Sequence, residues 1–282
     1  MKYYVVIPAH DEELYISQTL NSLVSQTILP SKVQIVNDHS TDKTAEICQT
    51  FVEKYSFISM ISNTSDSAHM PGSKVIKAFN LGLGNLDEDY DIIVKLDADL
   101  ILPKDYFEKI LKAFESDSKI GMAGGFAFIQ KNGNWELESL ADKDHIRGAF
   151  KAYRKECFQD IGGLRPAMGW DTADELLAQY YGWKIATDES LIVKHLKPTG
   201  ANYNQQARYK QGESFYTLGY GFLITLIASA KLAMKKKQPK LFLDYLKGYQ
   251  MAKNNRTQML VNSEQATFIR KLRYRKMRQK LF

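Results

Sequence analysis

Cysteine is scarce: Cys48 and Cys157 are the only two in 282 residues. That excludes a disulfide scaffold and makes a reducing compartment the expected home. Long hydrophobic runs are missing as well. The nearest approach to a membrane span is Phe215 to Ala230, which holds Tyr, Thr and two glycines and then meets Lys231. It falls short of the ~18 to 20 clean apolar residues a spanning helix needs. The N-terminal run MKYYVVIPAHDEE is too short and ends in proline and acids, so it does not read as a signal peptide. Low-complexity tracts and internal repeats are absent. Near the N-terminus there is no glycine-rich phosphate loop, which counts against a nucleotidyltransferase. With 44% apolar and 25% charged residues the composition is that of an ordinary folded chain. Its length suggests about two structural units, and the change to a helical, basic pattern after about residue 200 divides them as 1–200 and 201–282.

Acidic residues are nearly missing from one end. From Lys231 to Phe282 there are 15 Lys/Arg against 2 Asp/Glu, whereas the remainder carries 23 basic and 30 acidic residues. The overall charge of +6 therefore joins an acidic body to a basic tail. A tail of that kind expects a polyanionic surface, membrane or nucleic acid. The alternative is a helical subdomain with a solvated face.

What is present begins with alternation. Strand patterns at Tyr3–Ile7, Lys32–Val36, Phe57–Ile61 and Asp91–Leu96 alternate with helix patterns. Those helices are one carrying Leu14, Leu20, Leu23 and Val24, then Thr44–Tyr55 and Val75–Leu83. Such alternation predicts an α/β fold with a parallel sheet covered on both faces. Further on, the pattern predicts a helix over Asp105–Glu115, strands over Met122–Ile129, Gly148–Tyr153 and Lys184–Val193, and a helix over Ala173–Tyr181. After about residue 200 it is helical and basic. Ligand sites on such sheets form at the carboxyl ends of strands. The polar clusters Ala9-His10-Asp11-Glu12, Asn37-Asp38 and Asp97-Ala98-Asp99 all follow strands.

Asp97 and Asp99, two apart in extended chain, can face one hard cation such as Mg²⁺ or Mn²⁺, though Asp-x-Asp also occurs in surface turns. His195, after the last strand, suits a third ligand or a structural role. In Gly169-Trp170-Asp171-Thr172-Ala173-Asp174-Glu175, Thr172 to Glu175 fits a capping box, which accounts for Asp174 and Glu175. Asp171 lies outside that box beside Trp170, where a carboxylate suits a general base or simply a helix mouth. Lys74 can neutralise phosphate or be merely solvated.

Together these segments resemble the family 2 glycosyltransferases, whose catalytic domain has the GT-A fold, a Rossmann-like mixed sheet flanked by helices. The matching residues are Val6 to Glu12, Val36 to Asp42, Lys95 to Asp99 and Gly148 to Gly163, in the family's order, covering roughly residues 3–200. Gly169–Glu175 and His195–Gly200 are similar to a bacterial branch tied to surface-polysaccharide assembly. The resemblance implies that Pro8, Ala9, Glu12 and Asp38 line the pocket for the nucleotide base and ribose, with Lys74 and Asp97 near the donor. It implies Asp97, Asp99 and His195 as ligands of Mn²⁺ or Mg²⁺. It places Asp171 as catalytic base with Asp174 as the competing choice, and Trp170 beside the acceptor.

Two departures stand out: Asp11 replaces the common Asn, and Trp170-Asp171 replaces the usual Glu-Asp pair. The QxxRW motif of processive synthases is absent, Gln205 to Tyr209 being a loose echo, which favours single additions. The expected enzyme is an inverting transferase moving a sugar from a nucleotide-diphosphate sugar, UDP favoured, to a glycan or lipid-linked hydroxyl. It would sit in the cytoplasm, at the inner membrane face through its basic tail, with no nucleic acid as partner. The rival readings are a nucleotidyltransferase, a nucleic-acid-binding protein and an inactive scaffold.

Overall fold

The computed structural model describes residues 1–64, 73–138, 145–197 and 205–279. Pro71, Gly72 and the Pro198–Gly200 stretch lie outside the described residues, as do the side chains of 205–208. The chain divides into two compact units. The first comprises Met1–His69, Lys74–Leu164 and Tyr181–Thr199; the second comprises Met70–Ser73, Arg165–Tyr180 and Gly200–Phe282.

The first unit is built on a nine-stranded sheet. Its parallel half is β3 (Ile58–Ser62), β2 (Lys32–Asn37), β1 (Tyr3–Ala9) and β4 (Ile92–Leu96), in that spatial order. Every residue of β1 and β4 is buried, as expected for strands covered on both faces. The covering helices α1 (Ile16–Val24), α2 (Thr44–Lys54), α3 (Lys74–Gly84) and α4 (Tyr106–Ser116) each bury one apolar stripe. In α4 that stripe is Tyr106, Phe107, Ile110, Leu111 and Phe114. Helix α3 lies so close to the sheet at Gly82 that a Cβ there would meet Val36 at 2.6 Å and Val6 at 2.7 Å.

The sheet is mixed rather than wholly parallel. Beyond β4 come β8 (Phe150–Arg154), β6 (Ile120–Lys131), β9 (Lys184–His195) and the two-residue β5 (Leu100–Ile101), with β7 (Asn134–Leu137) hairpinned onto β6. The chain turns back at that hairpin and re-enters as β8, antiparallel to both β4 and β6. One further sequence expectation fails locally, and three short elements went unread. Leu14 is exposed because α1 starts only at Ile16, after a turn in which Glu12 O accepts from Ile16 N at 2.9 Å. Strands β5 and β7 and the short α5 (Lys155–Asp160) carry too little periodicity to be read in advance.

The second unit contains α6 (Trp170–Tyr180), α7 (Gln205–Thr217), α8 (Gly221–Lys235), α9 (Lys240–Asn254) and α10 (Ser263–Gln279). Helices α7 and α9 touch backbone to backbone. A Cβ on Gly212 would lie 1.9 Å from Tyr245 O, and one on Gly248 would lie 2.0 Å from Tyr209 O. Around that crossing Phe215 stacks on Tyr220 with centroids 5.6 Å apart, and Arg273 donates to the Tyr220 hydroxyl at 2.6 Å. The anticipated capping box does not form. Helix α6 begins at Trp170, and Thr172 and Ala173 donate to Gly169 O, so Thr172 lies inside the first turn. Among the described residues no helix is long and apolar enough to cross a membrane.

Candidate active site at the carboxyl ends of the strands

Strands β1 and β2 end side by side, with Pro8 opposite Val36 and Ala9 opposite Asn37. The loops that follow are tied together. Asp38 N donates to Ala9 O at 2.8 Å, and His10 Nδ1 lies 2.6 Å from Asp38 O. Asp38 itself is buried, and its Oδ1 accepts from Asn63 Nδ2 at 2.8 Å. Asp11 sits at φ +50°, a left-handed position that Asp and Asn tolerate better than most residues. Its Oδ1 accepts from Thr41 N at 2.7 Å, so Asp here clamps the two loops. Glu12 is anchored through its backbone to Thr44 Oγ1 at 2.7 Å.

Strand β4 delivers the Asp-Ala-Asp turn. Thr19 of α1 fixes it: its hydroxyl donates to Ala98 O at 2.7 Å and accepts from Leu100 N at 2.9 Å. Pairing of Leu100 with His195 then sets Asp99 against the end of β9. The result is a buried contact in which His195 Nε2 lies 3.3 Å from Asp99 Oδ2. Asp97 is engaged differently, its Oδ1 ion-paired with Lys95, a lysine buried within β4 beside the equally buried Lys151 of β8.

On its other side His195 meets a residue that sequence reasoning missed. Its Nδ1 lies 3.7 Å from Oε2 of the buried Glu138, which also takes Arg147 Nη2 at 2.9 Å. Glu138 is held in place by donating its N–H to Ala127 O at 2.8 Å. Across the site, Lys197 Nζ pairs with Glu12 Oε1 at 3.0 Å, while Glu12 Oε2 is buried without a hydrogen-bond partner among the described residues. Neither Glu138 nor Arg147 stands in a recognisable motif. Only the fold brings Glu138 to His195 and Arg147 to Glu138. Lys197 was visible only as part of the segment after His195.

The electrostatics follow from this crowding of acids. Burial pushes the Glu12 carboxyl up, with the charges of Asp99 and Asp97 adding and Lys197 opposing. Burial also raises Asp97, helped by Asp99 and opposed by Lys95. Burial disfavours charge on His195, but the neighbouring carboxylates of Asp99 and Glu138 outweigh it and lift the imidazole to about 9. Carboxylates and an imidazole are donors that suit Mg²⁺ or Mn²⁺, and Asp99 with His195 supplies one of each in contact. Among the described residues, however, no three His, Cys, Asp or Glu side chains converge as a finished metal cage.

The other expected residues lie as follows. Lys74 is half-buried at the first position of α3. Trp170, Asp171 and Asp174 all belong to α6 in the second unit. Asp171 is half-buried in the first turn, and Asp174 is buried, its Oδ1 2.6 Å from Glu175 N. Their surroundings within that unit include Tyr220, whose hydroxyl is pushed up by burial and further by Asp171 and Glu175, against the pull of Arg273.

Residues 4–168 match the family model described as Glycosyl transferase family 2. Among curated proteins the chain is similar to the probable glycosyltransferase YdaM of Bacillus subtilis, 26% identical over 246 residues. That alignment covers 78% of this chain and 57% of the relative, so the chain spans little more than half of that protein. Among solved structures it is similar to the mannosyltransferase PcManGT of Pyrobaculum calidifontis in complex with GDP-Man and Mn²⁺. There the TM-score is 0.60 at 15% identity, covering 100% of this chain and 81% of the other. It is also similar to S. aureus TarS 1–349 in complex with UDP-GlcNAc, with a TM-score of 0.56 at 19% identity over 88% of this chain and 72% of that one. These likenesses establish the GT-A fold.

Proposed function

This chain belongs to glycosyl transferase family 2, and from that premise we propose that it transfers a sugar from a nucleotide-diphosphate sugar to a hydroxyl of a glycan or lipid-linked acceptor, with inversion at the anomeric carbon. The observation that carries this reading is the cluster of acids at the carboxyl ends of β1, β2 and β4, where Glu12, Asp38, Asp97 and Asp99 are all wholly or largely buried. UDP is the favoured nucleotide; the TarS complex with UDP-GlcNAc and the PcManGT complex with GDP-Man make nucleotide sugars the donor class to test.

In this reading Pro8, Ala9, Glu12 and Asp38 line the base and ribose pocket, and Lys74 and Asp97 stand beside the diphosphate. Asp99 and His195 would hold Mn²⁺ or Mg²⁺, joined by Asp97 once Lys95 releases it. The bound ion would neutralise the charge that develops on the leaving diphosphate. Glu138, itself fixed by Arg147, holds His195 so that Nε2 faces Asp99; partners of this kind fix ring orientation and basicity. Asp171 takes the proton from the acceptor hydroxyl, and Trp170 gives that acceptor an apolar wall. The alternative base is Asp174, which is buried where Asp171 is only half-buried and so more open to an acceptor, which favours Asp171. The basic C-terminal segment brings the enzyme to the inner face of the membrane, where a lipid-linked acceptor would be met.

The test is product stereochemistry and the identity of the base. NMR of the new glycosidic bond should show inversion relative to the donor. Asp171→Asn should retain nucleotide binding while turnover falls by ~10² to 10⁴-fold, the usual contribution of a general base. Retention of configuration, or loss with Asp174→Asn alone, contradicts the assignment.

A further inference from the structure

Helix α8 is folded inside out. Over its 15 residues it turns Ile224, Thr225, Ser229 and Ala233 inward, three of them small or polar. Thr225 satisfies its hydroxyl on Gly221 O at 2.8 Å, but Ser229 is fully buried with its hydroxyl lacking a hydrogen-bond partner among the described residues. The outward face carries the large apolar side chains: Leu223 is 53% exposed, Ile227 42% and Met234 78%, with Phe222 beside them at 60%. Leu223, Ile227 and Met234 recur at i, i+4 and i+11, one stripe on a helix. A soluble helix buries such a stripe, and an apolar patch left facing water marks an interaction surface.

The surroundings say what kind. Lys231, Lys235, Lys236, Lys237 and Lys240 are all exposed at the C-terminal end of this stripe, and the segment from 231 onward holds 15 basic against 2 acidic residues. An apolar stripe edged by lysines matches an anionic lipid surface, with side chains entering the acyl boundary and ammonium groups staying among the headgroups. The same lysines oppose pairing of this face with a second copy of itself. We propose that α8 is an interfacial membrane anchor that inserts Leu223, Ile227 and Met234 into an anionic leaflet. The proposal rests on the membrane placement above and deepens it from charge attraction to insertion.

The experiment is co-sedimentation of the full chain with phosphatidylcholine vesicles, with and without phosphatidylglycerol. It is run on the wild type, on Leu223→Gln/Ile227→Gln/Met234→Gln and on Lys235→Gln/Lys236→Gln/Lys237→Gln. All six positions are exposed, so folding should be unchanged, with circular dichroism and melting temperature as the check. Wild type should bind the phosphatidylglycerol vesicles and resist elution by salt. The apolar triple variant should partition about 100-fold less, and the lysine variant should lose the preference for anionic lipid. A fluorophore attached at Met234→Cys, the two native cysteines being buried, should shift to the blue on binding. If the wild type binds but the apolar variant binds equally and elutes with salt, insertion is wrong while surface attraction stands. Binding to no vesicle overturns both. A wild-type dimer in solution that the apolar variant abolishes would assign the stripe to a second copy instead.

Discussion

At the amino end of the sheet in the first unit three exposed or half-exposed acids are each matched by a cation. Asp87 takes Lys32 and the Tyr4 hydroxyl, Asp89 takes Lys2, and Asp117 takes Lys184. These contacts hold the carboxyls of Asp87 and Asp117 below the ordinary range. At the carboxyl end of the same strands acids and cations are crowded together and buried. Glu12 and Asp97 are pushed up, and His195 is pulled up to about 9 by the acids around it. The difference is one of task. Salt bridges at the amino end pin loops and are individually weak because they face water. Burying ionised groups together at the carboxyl end costs stability, and clusters of perturbed titratable groups of this kind concentrate at functional sites.

The largest way to break this contrast is Asp99→Asn, which removes the carboxylate in contact with His195. Turnover with a nucleotide sugar should fall by ~10³-fold, the scale for removing a stabiliser of charge that develops in the transition state, while circular dichroism stays unchanged. Glu138→Gln should act one step further out. Mn²⁺ affinity, read by electron paramagnetic resonance without donor, should weaken by about 10 to 100-fold because the imidazole loses its orienting partner. Equal affinity in the variant would reduce Glu138 to a packing role.

Those two positions also mark how far the sequence reached. Asp99 is legible because a nearly all-apolar strand followed by Asp-x-Asp needs only local periodicity to be placed. Contact between Asp99 and His195 depends instead on a two-residue strand, β5, which has no periodic signature. Glu138 and Arg147 were invisible for a related reason. They come from a polar hairpin and the segment before β8, and only the antiparallel return of the chain, which the alternating pattern hid, makes them neighbours. The inverted burial of α8 was likewise unreadable: its apolar residues recur at helical spacing whether that stripe faces core or solvent. Charge carried the opposite lesson, since the basic tail was plain from composition alone.

Smaller effects sharpen the comparison. Lys197→Met strips Glu12 of its paired cation and leaves a carboxylate that is already largely buried. Urea unfolding at neutral pH should show a loss of about 1 to 2 kcal/mol, the cost of a part-buried charge left unpaired. The smallest effect belongs to the amino end. Asp87 has its pKa lowered in the folded state, so its contribution is present above the ordinary carboxylate range and is lost as pH falls. Asp87→Asn should melt slightly below wild type at neutral pH, and the gap should close as the pH drops below ~4. A gap that widened in acid would reverse the sign of that pairing.

The central claim, that the carboxyl-end acids form a cation-dependent nucleotide site, is tested most directly by thermal-shift titration with UDP in Mn²⁺ and in EDTA, on wild type and on Asp99→Asn. With ligand at ~100 times its Kd, binding adds ~2.7 kcal/mol, and melting should rise by several degrees in wild type with Mn²⁺ only. The variant should show no such rise. A shift of equal size in EDTA, or one that survives Asp99→Asn, would contradict the account.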